Sequence, residues 1–281
     1  AAGDLLQFGG TTTPITNNNK TADTNFIGIN LTNNGSAGQT SNFTLSGNRI
    51  TLGGNIATTA MTSGSLTDTI SLAMILSAGR TITADTNHNL TISGVISESG
   101  GARVLTKAGT GTLTLSGNNT FTGGVSISAT GGKVIVGHNN ALGTGTATLT
   151  GTSVTFELAD GITVANALTV TSAGNGKFLR LQTGATSATY AGNIVNSEDV
   201  VGNFDMNVDT GGTLTVSGII SNLGFEKTGV GTLILSGNNT FTTGLTLTTG
   251  VLNIRHANAL GTTATGTTVS SGAALELQGG I

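Results

Sequence analysis

The sequence predicts an all-β protein that folds as a right-handed parallel β-helix, or β-solenoid, of roughly a dozen coils. Three observations predict this fold: a duplicated unit, a shorter period within each unit, and a composition with 45 glycines in 281 residues and only 8% charged residues. Duplication is informative because a catalytic pocket is normally built once from unlike residues, whereas units that cannot bury their own faces stack into arrays.

The duplication is clearest in two matching segments. The first begins at Lys107 and is KAGTGTLTLSGNNTF, and the second begins at Lys227 and is KTGVGTLILSGNNTF, an offset of 120 residues. Upstream, the segment LTISGVIS from Leu90 matches LTVSGIIS from Leu214. We therefore expect a single continuous solenoid, and its parts are N-terminal coils at 1–42, a first unit at about 43–158 and a second, partial unit at about 156–281.

A finer period of about 20 residues runs through each unit. In the first unit, apolar runs begin at Leu90, Leu113, Val134 and Val154, at spacings of 23, 21 and 20 residues. The second unit has spacings of 19, 19 and 23 residues, counted from Leu214. Aliphatic residues alternate with hydroxyl residues in each run, which predicts strands with one buried face, and Gly and Asn between the runs predict turns. Leucine-rich repeats share this period, but they need a helical half-repeat that this sequence lacks.

Composition excludes several classes of function. A net charge of −3 leaves no basic face for a phosphate backbone, so we expect no nucleic-acid partner. The longest clean apolar run, from Ile70 to Leu76, is too short to cross a bilayer as a helix, so we expect no membrane-spanning segment. Cysteine is absent, and the stability of the fold must therefore come without disulfides.

The duplicated segments carry a resemblance to a known family. The string LTKAGTGTLTLSGNNTFTGGVSI from Leu105, with its second copy from Phe225, resembles the autotransporter-associated β-strand repeat, also called the passenger-associated transport repeat. The resemblance extends from Leu105 to Leu158 and from Phe225 to Leu277. It implies a parallel β-helical passenger that is exported across the outer membrane of a Gram-negative bacterium. It brings no catalytic residues with it.

On this basis the sequence predicts a structural β-solenoid, a stalk or fibre segment that is extracellular or on the outer cell surface. The alternative is an adhesin that binds host or matrix glycans through the sides of the solenoid. The final LELQGGI matches FELADGI from Phe156, where the pattern continues into a further coil. Two explanations remain for this pattern: a longer array of which this chain is a segment, or end-to-end self-association that extends the solenoid into a filament.

The histidines do not suggest a catalytic site. His138 and His256 occupy the same repeat position, so we interpret them as corner or surface residues. His88 lies between two asparagines and is predicted to be in a turn. No motif that pairs a nucleophile with a base is present, and the two carboxylates that glycoside hydrolysis needs have no evident pairing in the sequence. We therefore expect no enzymatic activity and no cofactor.

The recurring lysines are likewise interpreted as structural. We expect Lys107 and Lys227 to lie on the solvated flank of a coil, near Glu157 and Glu276.

Calcium is the one metal that the sequence brings into consideration. Asp205, Asn207 and Asp209 have the first three oxygen-ligand spacings of a calcium loop. However, Thr210 stands where the loop needs Gly, and Val216 stands where it needs Glu. The three residues also alternate with apolar residues, as in a strand with one wet face. Calcium binding is therefore the weaker hypothesis for this segment.

Overall fold

A computed structural model describes residues 3–9, 15–33, 42–128, 130–171, 176–196, 204–222, 224–264, 266–279 and 281. All of the regular structure in these residues is β-strand, and neighbouring strands pair in parallel. The chain divides into two compact units, Ala1–Gly145 and Thr146–Ile281. Each unit is a β-solenoid, and the two together contain about 11 turns. The predicted all-β parallel solenoid is confirmed.

The first unit consists of short strands joined by turns. Its strands are β1 (Asp4–Phe8), β2 (Ile15–Asn18), β3 (Thr24–Leu31), β4 (Thr44–Gly47), β5 (Ile50–Leu52), β6 (Ile56–Thr58), β7 (Leu66–Ile70), β8 (Met74–Leu76), β9 (Arg80–Thr83), β10 (His88–Ile92), β11 (Ile96–Glu98), β12 (Leu105–Ala108), β13 (Thr112–Leu115), β14 (Val125–Ile127) and β15 (Lys133–Val136).

These strands stack in three sets, so that a coil such as β7, β8 and β9 contributes one strand to each set. The first set runs β2, β4, β7, β10, β13 and β15. The second runs β5, β8 and β11 and begins on the N-terminal half of β3. The third runs β6, β9, β12 and β14 and begins on the C-terminal half of β3. Strand β1 also pairs with β3.

The second unit is built in the same way. Its strands are β16 (Ala147–Leu149), β17 (Thr155–Leu158), β18 (Thr163–Val164), β19 (Leu168–Val170), β20 (Lys177–Leu181), β21 (Ser187–Tyr190), β22 (Ile194–Asn196), β23 (Phe204–Asn207), β24 (Thr213–Val216), β25 (Ile220–Ser221), β26 (Phe225–Thr228), β27 (Thr232–Leu235), β28 (Leu245–Leu247), β29 (Val251–Ile254), β30 (Thr267–Val269) and β31 (Ala274–Leu277).

Three stacked sets again account for these strands. They are β16, β19, β22 and β25; β17, β20, β23, β26, β28 and β30; and β18, β21, β24, β27, β29 and β31. In the last set Leu214 pairs with Leu233, Leu233 with Leu252, and Leu252 with Leu275. The spacings of 19, 19 and 23 residues in the sequence are therefore the lengths of successive coils.

The core of the first unit shows the same register. Leu90 pairs with Leu113 and Leu113 with Val134, and all three side chains are fully buried. Each such aliphatic residue stabilises the fold by about 1.5–3 kcal/mol. Three residues before Ile70 and Ile92, an outward position is occupied by Thr67 and Asn89, which pair with each other. The next outward position forms a column of threonines, which are Thr44, Thr69, Thr91 and Thr114. The hydroxyl residues that alternate with aliphatic ones in the sequence therefore form an outward ladder in this unit.

Among the residues that the structure describes, no helix has the length and apolar character needed to cross a membrane.

Candidate functional site

The lysines of the duplicated signature are buried inside the solenoid. Lys107 lies on β12 and Lys227 on β26, each points inward, and both have an exposure of 0%. The prediction that they lie on a solvated flank near glutamates is therefore wrong. Fully buried lysine is rare in general, but the alternation within LTKA places Leu105 and Lys107 on the same face of the strand.

The partners of these buried ammonium groups are backbone carbonyl oxygens in the turn that follows each strand. The Lys107 Nζ donates to the carbonyl oxygens of Ala108 at 2.8 Å and Gly109 at 2.7 Å. The Lys227 Nζ makes the two equivalent bonds at 3.0 and 2.7 Å, and it also donates to the carbonyl of Thr249 one coil later, at 3.2 Å. The lysine thus fixes the turn from inside the core.

Burial lowers the pKa of both Lys107 and Lys227 to about 8, and the negative charge of Asp85 acts against this shift at Lys107. Both groups are still charged at neutral pH. This agrees with the geometry of Lys227, because three carbonyl acceptors require the three N–H donors of an ammonium group.

The turn itself depends on glycine. Gly109 has a φ of 76°, and a Cβ at this position would lie 2.3 Å from the carbonyl oxygen of Ala84. Gly229 repeats the arrangement, with a φ of 74° and the same 2.3 Å approach to the carbonyl of Val208. Lysine and glycine of the signature therefore act together to bring two coils into close contact.

Buried asparagines connect the corners of successive coils. The Asn119 side chain accepts a hydrogen bond from the N–H of Ile96 at 2.7 Å and donates to the carbonyl of Ala141 at 2.6 Å. Asn239 makes the equivalent bonds at 2.9 and 2.7 Å. Each amide thus joins the coil before it to the coil after it. These bonds give the repeated Asn-Asn pair a structural role at the turns.

His138 and His256 lie in turns, as predicted. The Nδ1 atom of each accepts a hydrogen bond from the backbone N–H two residues later, in Asn140 and Asn258 respectively, at 3.0 Å in both cases. The side chains of these asparagines donate to an asparagine of the preceding coil, at 2.9 and 2.8 Å. The two histidines therefore order equivalent corners in the two units.

His88 has a different environment from the other histidines. The prediction that it lies in a turn is wrong, because Asn87 ends the turn with a φ of 56° and His88 begins strand β10. The His88 side chain is fully buried, with Nε2 at 2.7 Å from Oδ2 of Asp68 and Nδ1 at 2.7 Å from the carbonyl oxygen of Thr59. The other carboxylate oxygen of Asp68 accepts a hydrogen bond from the N–H of Phe43 at 2.7 Å.

The electrostatics of this pair favour the charged imidazole. Burial alone would lower the pKa of His88. The hydrogen bonds to the Asp68 carboxylate and the Thr59 carbonyl, together with the negative charges of Asp68 and Asp85, outweigh burial and raise the pKa above its ordinary value. A sequence signal for the site existed, since Asp68 sits at an inward position of the alternating run LTDTI.

The calcium candidates lie on and beside one strand. Asp205 and Asn207 point outward from β23, and the exposed Asp209 follows it and accepts a hydrogen bond from the Thr183 hydroxyl at 2.9 Å. Alternate residues on a strand are about 6.7 Å apart, whereas calcium ligands converge to about 2.3–2.6 Å from the ion. Within the described ranges, no cluster of three or more His, Asp or Glu side chains has an arrangement that could hold a metal ion.

The structure does bring Asp205 close to residues that are distant in sequence. Phe178 pairs with Asp205 and Asp205 with Glu226, on the neighbouring strands β20, β23 and β26. Arg180 lies over the ring of Phe178, 4.4 Å from its centroid. Burial and the charge of Glu226 raise the pKa of Asp205, while Arg180 acts against this shift. We call Phe178, Arg180, Asp205 and Glu226 the Asp205 face.

A cavity of about 190 Å³ lies among the first strands of the first unit. Apolar side chains and a polar segment form its walls, and these are Leu6, Phe8, Thr16, Asn17, Asn18, Asn19, Lys20, Phe26 and Leu45. Lys20 is the ionisable residue of this lining.

These features define a parallel β-solenoid whose repeated polar residues hold coils and corners together. The family model described as Passenger-associated-transport-repeat matches residues 105–132 and 225–254, and the matched segments start at the first residues of β12 and β26. The chain thus carries two passenger-associated transport repeats, as its sequence predicted. Such repeats are associated with autotransporter passengers, which are surface or secreted proteins. No curated protein and no solved structure matches the chain.

Proposed function

We propose that this chain is a structural section of an extracellular autotransporter passenger and serves as a stalk or fibre at a bacterial cell surface. The observation that carries the proposal is the unbroken register within a unit, in which Leu214, Leu233, Leu252 and Leu275 pair one after another. Coils that hydrogen-bond to each neighbour along one axis produce length and stiffness rather than a single pocket.

The repeated polar groups support the same function. The Lys227 ammonium group donates all its hydrogen bonds to backbone carbonyls, and the Asn239 side-chain amide is hydrogen-bonded to the backbone of two other coils. Groups engaged in this way hold the scaffold together and are not presented to a substrate. We therefore also propose that the protein has no catalytic activity and that it assembles end to end with further copies of itself.

Electron microscopy and light scattering of the purified chain test this proposal. Thin rods of uniform width support a stalk, and filaments that lengthen as the protein concentration rises support a fibre formed end to end. Round particles without a long axis would contradict both forms. Release of sugars from a panel of surface polysaccharides would contradict the absence of catalysis.

A second candidate function, an adhesin, is favoured by the Asp205 face. Phe178 and Arg180 alternate on β20 and both are partly exposed beside two carboxylates. Aromatic rings combined with charged hydrogen-bonding groups are suited to sugars, which present apolar and hydroxyl faces together.

A glycan array distinguishes the adhesin from the stalk. The informative variants are Phe178→Ser and Arg180→Gln, with Thr114→Ser on the outward threonine column as the matched control. Binding that is lost in the first two variants and kept in the control supports the adhesin. Equal binding by all four proteins, or binding by none, contradicts recognition through this face.

A further inference from the structure

We propose that Asp68 and His88 form a proton-dependent latch that ties four segments of the first unit together and releases them as the pH rises. The latch is defined as the Asp68–His88 pair together with its two backbone partners, the N–H of Phe43 and the carbonyl of Thr59. It concerns the stability of the solenoid and does not depend on which function the protein serves.

The geometry joins residues from different coils. The Nε2 of His88 and Oδ2 of Asp68 are 2.7 Å apart, and both side chains have an exposure of 0%. Asp68 reaches back 25 residues to the N–H of Phe43, and His88 reaches back 29 residues to the carbonyl of Thr59. Two side chains therefore connect four positions of the chain within a region that water does not reach.

This arrangement requires a proton on each ring nitrogen. The Thr59 carbonyl can only accept, so Nδ1 of His88 must donate to it. The Asp68 carboxylate accepts from the N–H of Phe43 through one oxygen, and its second oxygen needs a donor from Nε2. An imidazolium ion satisfies both contacts, whereas a neutral imidazole leaves one lone pair facing an acceptor.

The charged groups around the ring are few. Asp68 faces it from β7, and Asp85 lies in the turn before β10 and adds negative charge. Lys107 on β12 carries the positive charge that interacts with Asp85. Strands β6 and β13 also pack against β10, and neither contains an ionisable residue. Negative charge therefore dominates the electrostatic potential at the imidazole ring and favours its protonated form.

The direction of the pH effect follows from the raised pKa of His88 in the folded protein. The stabilisation is complete below the ordinary histidine value of about 6.5, and it is lost as the pH rises through the higher pKa of the folded state. Deprotonation leaves Nε2 and Oδ2 with lone pairs opposed in a buried site. Opening of this region releases the Phe43 and Thr59 segments to water.

The first test observes the ring directly by ¹⁵N NMR of the histidine-labelled protein, with the His88→Gln variant to assign the signal. We expect the midpoint at which His88 loses one of its two ring protons to lie above the ordinary value of about 6.5. A midpoint at or below about 6.5 would overturn the proposal. This measurement uses the native protein, so a variant that folds poorly does not weaken it.

The second test measures hydrogen exchange at the Phe43 amide, which donates to Asp68. The reference is the Ile96 amide, which donates to the uncharged side chain of Asn119 at the same 2.7 Å distance. Between pH about 6.5 and the raised pKa, protection of Phe43 relative to Ile96 should fall about tenfold per pH unit. The fall should be absent in His88→Gln and present in the control His256→Gln. Parallel protection of the two amides across this range would contradict the latch.

Discussion

Lys107 and Lys227, 120 residues apart in the sequence, make the same pair of buried hydrogen bonds, each to the carbonyl oxygens of the next residue and of the glycine that follows it. A lysine is a costly residue to bury, and its repetition at this place shows that the turn depends on it. The lysine of the repeat signature therefore closes a turn through hydrogen bonds made from inside the core. The polar residues of the signature stabilise the solenoid.

Replacing the signature lysine by an apolar residue of similar length should destabilise the protein. In Lys107→Met, two carbonyls in a tight turn lose their donor, so we expect the free energy of unfolding to fall by about 1–3 kcal/mol. Lys227→Met should cost more, because Lys227 also serves Thr249. Urea unfolding followed by circular dichroism measures both. The outward Lys133 is the matched control, and an equal loss in Lys133→Met would refute the assigned role.

The same lysines predict how stability depends on alkaline pH. Their pKa in the folded protein is about 8, below the ordinary 10.5, so between these values the unfolded chain binds more protons than the folded one. Stability contributed by the lysines should therefore rise as the pH rises from 8 to 10.5. The difference in Tm between wild type and the Lys107→Met, Lys227→Met double variant isolates this contribution. A difference that stays constant over this range would show that the two pKa values are not lowered.

Glycine substitutions can distinguish the cost of backbone strain from the cost of a steric clash between two coils. Gly109 and Gly131 have similar φ values, 76° and 72°, but a Cβ on Gly109 would meet a carbonyl at 2.3 Å, whereas the nearest atom to a Cβ on Gly131 is 3.8 Å away. Gly131→Ala should cost about 1–2 kcal/mol from strain alone. Gly109→Ala should cost about 1–3 kcal/mol more, since two coils must move apart. Equal losses in thermal unfolding would argue against close packing at this corner.

The Asp205 face predicts a stabilising substitution. Asp205 opposes Glu226, and its pKa is raised, so ionisation of Asp205 lowers stability at neutral pH. Asp205→Asn should therefore increase the free energy of unfolding by about 0.2–1 kcal/mol. Asp209→Ala, which removes the acceptor of the Thr183 hydroxyl, is the control and should not be stabilising. A rise in Tm on adding calcium that disappears in Asp205→Asn would support the calcium hypothesis instead.

The solenoid was predictable because its signals are local. Alternation and turn residues set the length of each coil, and the spacing from Leu90 to Leu113 in the sequence became a direct pairing in the structure. The contacts between coils were harder to predict, because they depend on which positions share a column. Asp205 and Glu226, one coil apart, become neighbours only when the coils are aligned in register.

The buried charges could not be placed by general rules of exposure. Those rules put lysine and histidine on the surface, whereas here Lys107 and His88 occupy inward positions of strands. The alternation of apolar and polar residues in each strand did indicate that these two side chains point inward. What the sequence could not supply was the partner, since Asp68 and the carbonyl of Thr59 reach His88 from other parts of the fold.

The amides of Asn119 and Asn239 restrict how such a chain can change its length. Because Asn119 is bonded to Ile96 in the preceding coil and to Ala141 in the following one, deleting the coil that carries it would leave a donor and an acceptor without partners on either side of the cut. A block that brings its own corner residues can be inserted without this penalty. The 120-residue duplication is a block of that kind. The same hydrogen bonds between coils therefore favour growth by whole units and disfavour the loss of a single coil.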